Sequence, residues 1–212
     1  MNVAINSNAR FAETTFSIVT ESLIESGFSP ENIYFFEGGH DSYQKVESNV
    51  NRYKCDNDSI DLTGLISIIE LNLTSDYWFY IHDTTSVGPK FYEAVHNFEP
   101  GIIAKPLNSG PSMNMGLYSN DLLHIKKDII LSMKNTDLSK ESVLKFKSHN
   151  VYIEDSLFNE YKGNSYCNGP QYKPPFDVYG NGVVRIQEYY ECVDLYKFKA
   201  NWHVKDVYEV NL

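Results

Sequence analysis

Arginine is scarce in this chain: only Arg10, Arg52 and Arg185 occur. Lysine and arginine together number 18 against 28 aspartates and glutamates, a formal net charge of −10. A protein that grips a nucleic-acid backbone carries clustered cations. None cluster here, so nucleic acid is not an expected partner. A phosphorylated small molecule stays open, with a metal to offset the like charge. Cysteine is as sparse: Cys55, Cys167 and Cys192 stand far apart with no Cys-x-x-Cys spacing. That excludes the usual zinc patterns, and an odd, sparse set fits a reducing compartment. No apolar run reaches the ~18 residues of a membrane span, and "MNVAINSNAR" has no signal-peptide pattern. Membrane insertion is not expected, a cytoplasmic location is, and the Asn57 and Asn72 triplets are not read as glycosylation sites. Internal repeats and low-complexity linkers are also missing.

What is present suits one domain spanning all 212 residues, long enough to bury a core. Tyrosine is abundant, at 16 residues. It suits strands, and polar clefts that need an apolar face bearing a hydroxyl. "NVAINSN" predicts a strand over Asn2 to Ile5 and then a loop. Apolar residues at Phe11, Phe16, Val19, Leu23 and Ile24 follow at helical spacing, and Gly27 predicts the stop. "NIYFFEGG" predicts a second strand. Strand, helix, strand opens a parallel α/β sheet. Further helices are expected over "SIDLTGLISIIELNL", "GPKFYEAVHNF", "NDLLHIKKDIILSMKN" and "KESVLKFKSHNVYIEDSLFNEY". "GIIAKPL" predicts a strand, and "NSGPSMNMGLYS" a loop and then a strand. Cys167 to Gly182 is expected as loop, with one or two strands after it. The fold class is thus α/β: a central, mainly parallel mixed sheet flanked by helices.

"YWFYIHDTTSVGP", Tyr77 to Pro89, is the most informative stretch. A run that is apolar on both faces is a central strand. Asp83 would stand at its carboxyl end, where open α/β sheets bind ligands. A helix cap explains an aspartate there equally well. Beside it, His82, Thr84 and Thr85 add an imidazole and two hydroxyls. A strand running into such a triplet, after a strand–helix–strand start, resembles the metal-binding corner of nucleotide-sugar glycosyltransferases of the GT-A fold. Only Asp83 of the His82-Asp83-Thr84 triplet is acidic, where the family carries two acids. "YIHDTTSVGPKFYEAV" is similar, more narrowly, to glycosyltransferase domains of large DNA viruses, the chlorella-virus capsid-glycan type above all.

That resemblance implies one GT-A-like domain, with a nucleotide-binding half about 1–105 and an acceptor half about 106–212. It implies a UDP-sugar donor, Mn2+ (or Mg2+), a glycan acceptor, work in a host cytoplasm, and room for further domains in a longer polypeptide. Asp83 would hold the metal with His203. Asp155, or Glu154, in "VYIEDSLFNEY" would take the acceptor proton, as the acid before such a helix does in inverting members. A retaining enzyme needs no such base, and both acids then simply favour a helix start. Asn6, Ser7, Asn8, Arg10 and Glu37 would meet the nucleotide, with His82, Thr84 and Lys205 at its phosphates. Asn108, Ser109, Gly110 and Asn114 would face donor or acceptor sugar, and Tyr166, Tyr172 and Tyr179 would stack on sugar rings. Two other classes compete. A nucleotidyltransferase needs a Gly-rich basic loop after the first strand, and "NSNARFAETT" has no glycine. A non-catalytic glycan- or nucleotide-sugar-binding module would show sugar binding with no dependence on nucleotide or metal.

Overall fold

The computed structural model describes residues 1–109, 115–134 and 157–200. Seven strands form the main sheet: β1 (Asn2–Asn8), β2 (Ile33–Gly38), β3 (Gln44–Val46), β4 (Asn51–Lys54), β5 (Tyr77–His82), β7 (Ala104–Pro106) and β8 (Gly116–Ser119). Their order is β3-β4-β2-β1-β5-β8-β7. The four consecutive strands β4, β2, β1 and β5 run parallel. β3 pairs antiparallel at one edge, and β8 and β7 do so at the other. The expected α/β class, with a mixed sheet and a parallel centre, is present. Helices α1 (Ala12–Ser26), α2 (Thr63–Glu70), α3 (Phe91–His96), α4 (Asn120–Ile125) and α5 (Lys127–Ser132) cover it.

Side chains alternate across a strand, and the core divides accordingly. Val3, Ile5, Phe35, Phe79 and Ile81 point to one face, where they pack with Val19 and Leu23 of α1 and with Phe91 and Val95 of α3. Ala4, Phe36, Trp78 and Tyr80 point to the other, against Leu65, Ile66 and Ile68 of α2 and Leu122, Leu123 and Ile130 of α4 and α5. All six residues of β5 but Tyr77 are buried, which is why apolar and aromatic side chains fill both faces up to His82. α1 closes at Gly27, whose φ of +119° lets its N–H turn back onto the last turn.

A second sheet, ordered β6-β11-β10-β9, is built from β6 (Thr85–Val87), β9 (Gln171–Phe176), β10 (Arg185–Tyr190) and β11 (Leu195–Ala200). All of its pairings are antiparallel.

Several expectations need correction. β1 continues through Asn8, so Asn6, Ser7 and Asn8 lie in the strand and not in a loop after it. The expected loop after Cys167 contains β9. Its Pro174 and Pro175 are tolerated because β9 is an edge strand with β10 as its one neighbour. The short strands β3, β4 and β6 carry no clear alternation and were not expected. The long helix expected from Asn120 divides at Lys126 into α4 and α5. Cys167 and Cys192 form a disulfide, which removes the cysteine argument for a reducing compartment. Cys55 remains a buried free thiol, pushed up to about 12 by burial. Among the described residues no helix is long and apolar enough to cross a membrane.

Candidate functional site

The carboxyl ends of β1, β2 and β5 face one end of the sheet. β7 runs with them, because two antiparallel steps through β8 restore the direction. That end therefore gathers Ser7 and Asn8, Glu37, His82 to Thr84, and Asn108. Open α/β sheets bind ligands at this edge.

Asp83 is 8% exposed, and its Oδ2 accepts from Ser7 Oγ at 2.6 Å and Thr15 Oγ1 at 3.0 Å. Its backbone N–H donates to the Asn6 carbonyl at 2.9 Å. The carboxylate thus ties β5 to β1 and α1. It is no helix cap. Ile5 and Ser7, like Ile81 and Asp83, share the sheet face that α1 covers, so strand alternation brings these groups together. Burial raises the Asp83 pKa to about 6, and the charge of Asp61 adds to this, while the two hydroxyls pull the other way. His82 is buried, and its Nδ1 lies 3.8 Å from Asp61 Oδ1.

The other expected nucleotide contacts diverge. Asn6 Oδ1 accepts from the Gly64 N–H at 2.9 Å and from Tyr80 Oη at 2.8 Å, on the opposite sheet face from Asp83. Asn8 Oδ1 accepts from the Arg10 N–H at 3.1 Å, and Arg10 itself is exposed. Glu37 is buried: Arg52 donates to its Oε2 from Nε at 3.1 Å and Nη2 at 2.7 Å, and His40 Nε2 meets its Oε1 at 2.7 Å. Both oxygens already have protein partners. Asn108 Nδ2 donates to Tyr190 Oη at 3.4 Å, and exposed Ser109 donates its N–H to the Cys167 carbonyl. Gly110, Asn114, Glu154, Asp155, His203 and Lys205 lie outside the described residues.

The second sheet and its β9–β10 connection bring in Tyr179, expected on a sugar ring, with Arg185 and Glu188, which sequence patterns did not single out. The Phe198 N–H donates to the Thr84 carbonyl at 2.8 Å, which seats β11 beside the Asp83 corner. Tyr179 packs edge-on against Phe198, with ring centroids 6.2 Å apart, and the Arg185 guanidinium lies 5.1 Å over the Tyr179 ring. Burial pushes the Tyr179 phenol up, the charge of Asp83 pushes it further, and Arg185 opposes both. Glu188, 4% exposed, pairs with Lys199 at 2.8 Å and accepts from Tyr190 Oη at 3.3 Å. One signal was available: Glu188 shares its strand face with Ile186 and Tyr190, an acid between two apolar side chains. Of the tyrosines expected to stack on sugars, Tyr166 instead sends its hydroxyl to the Val95 carbonyl at 2.8 Å, while Tyr172 is 72% exposed.

A divalent ion wants several hard donors converging on one point. Among the described residues no three His, Cys, Asp or Glu side chains do so. Asp83 also turns Oδ2 inward onto two hydroxyls. The described donors do not by themselves fit a manganese ion.

No protein-family model matches the chain, and no curated protein does. Among solved structures it is similar to a glycosyltransferase involved in the glycosylation of the major capsid of PBCV-1. Identity is 15% and the TM-score 0.45, over 79% of this chain and 82% of that one.

Proposed function

We propose that this chain moves a sugar from a UDP-sugar to a hydroxyl of a glycan, in the building of capsid glycans. The observation that supports it is the gathering of polar groups from three parallel strands, β1, β5 and β7, at one sheet end beside the second sheet. Ser7 and Asn8, Asp83 and Thr84, and Asn108 frame that end. In this reading the nucleotide lies over the ends of β1 and β5, and the sugar is turned toward Asn108. Asp155 or Glu154 takes the acceptor proton, a role worth ~10²–10⁴ in rate. A metal ion is part of the proposal only through His203, since Asp83 alone does not hold one.

The inward-turned Asp83 also favours a second reading, a module that binds a nucleotide-sugar or glycan without turnover. Thermal melts with UDP, GDP and CMP, each with and without Mn2+, test both. A ligand at a hundred times its Kd stabilises by ~2.7 kcal/mol, which for this size means a shift of roughly 5–11 °C. A shift with UDP and not with GDP or CMP is expected. Glycan binding with no nucleotide response would leave the second reading in place of the first.

A further inference from the structure

Arg185 is one of only three arginines in a chain of net charge −10. Arg52 is paired with two carboxylates, Glu13 and Glu37. Arg10 is exposed to solvent. Among the described residues Arg185 forms no salt bridge, and its Nε is buried with no hydrogen-bond partner. The hydroxyl of Tyr179, whose ring the guanidinium covers, is likewise buried and unsatisfied. A buried donor without an acceptor is destabilising, and here two stand on neighbouring side chains. Both are held firmly: Arg185 is in register with Phe176 of β9 and Ala200 of β11, and Tyr179 leans on Phe198, which is bonded to Thr84. Tyr179 also senses the charge of Asp83, so the pair borders the proposed site.

Two unpartnered donors on stacked side chains, one of them cationic, call for an acceptor that is anionic and carries several oxygens. A guanidinium fork matches phosphate in shape and charge. We infer that Arg185 and Tyr179 form an anion seat for the diphosphate of the ligand, supplying positive charge that the Asp83 corner lacks. This rests on the nucleotide-sugar reading for the identity of the ligand, but the seat itself requires only a phosphate-bearing one.

The test is calorimetric titration of the whole chain with UDP, inorganic pyrophosphate and uridine, in EDTA and again with Mn2+. Arg185→Gln, Arg185→Lys and Tyr179→Phe are compared, each checked by its melting curve. Arg185→Gln should weaken UDP and pyrophosphate roughly tenfold or more, and Tyr179→Phe several-fold, while uridine is unaffected. If Arg185→Gln does not fold, the lysine and phenylalanine variants decide. UDP binding unchanged in folded variants overturns the anion seat and leaves the nucleotide-sugar reading standing. Arg185-dependent pyrophosphate binding without any gain from uridine supports the seat and sinks that reading. Binding of neither UDP nor pyrophosphate by the native chain under either condition overturns both.

Discussion

Asp83 is a carboxylate sealed from water and met by two hydroxyls, and the balance between these leaves it costly to ionise. Its pKa rises from 3.8 to about 6, a difference worth roughly 3 kcal/mol. The folded state therefore holds the proton more tightly than the unfolded chain. The penalty is absent below pH 3.8, grows between 3.8 and about 6, and is fully present above that. Asp83→Asn keeps an oxygen for Ser7 and Thr15 and removes the titration. In urea melts it should be more stable than the native chain at pH 7, by up to about 3 kcal/mol, with the gap closing toward pH 4. A gap that stays constant with pH would contradict this. The residue itself stood out in the sequence, because a carboxylate directly after six large side chains, Tyr77 to His82, is conspicuous. Its partners did not: Ser7 and Thr15 are 76 and 68 residues away, and no local pattern links them.

Elements were legible where their pattern was long. β1, α1, β2, α2 and β5 each carry enough apolar residues at one period to declare their type. β3, β4 and β6 are three or four residues long, too short for a period to show. β9 was obscured by its own prolines, which only an edge position permits. Two junctions between elements yield predictions. The Cys167–Cys192 bond spans 25 residues and joins the segment before β9 to the turn between β10 and β11. Loop closure of that length restrains the unfolded chain by about 3 kcal/mol. Cys192→Ser, or full reduction, should lower unfolding stability by that order in urea, and an unchanged midpoint would refute it. Gly116 opens β8 at φ +146°, and a Cβ there would stand 2.7 Å from the Lys105 carbonyl oxygen and 2.7 Å from Pro106 Cα. Gly116→Ala combines backbone strain with a clash against backbone that cannot swing aside. A loss of at least about 2 kcal/mol is expected from chemical denaturation.

At the scale of the whole molecule, the two sheets meet where β6 leaves the end of β5 and pairs with β11. That junction gives the acidic corner at Asp83 its neighbours: Phe198 on Thr84, Tyr179 on Phe198, Arg185 on Tyr179. Composition alone shows a chain poor in cations, and the structure shows where one of the three arginines is spent. The strand–helix–strand opening, the two-faced burial of β5 and the position of Asp83 at its end were written in local periodicity, because burial on each face of a strand or helix selects residue type at fixed spacing. The disulfide, the inward hydrogen bonds of Asp83 and Asn6, the capture of Glu37 by Arg52 and the Arg185–Tyr179 pair came only with the tertiary fold. Each joins residues far apart in sequence, and such contacts depend on strand order and register, which local spacing does not encode.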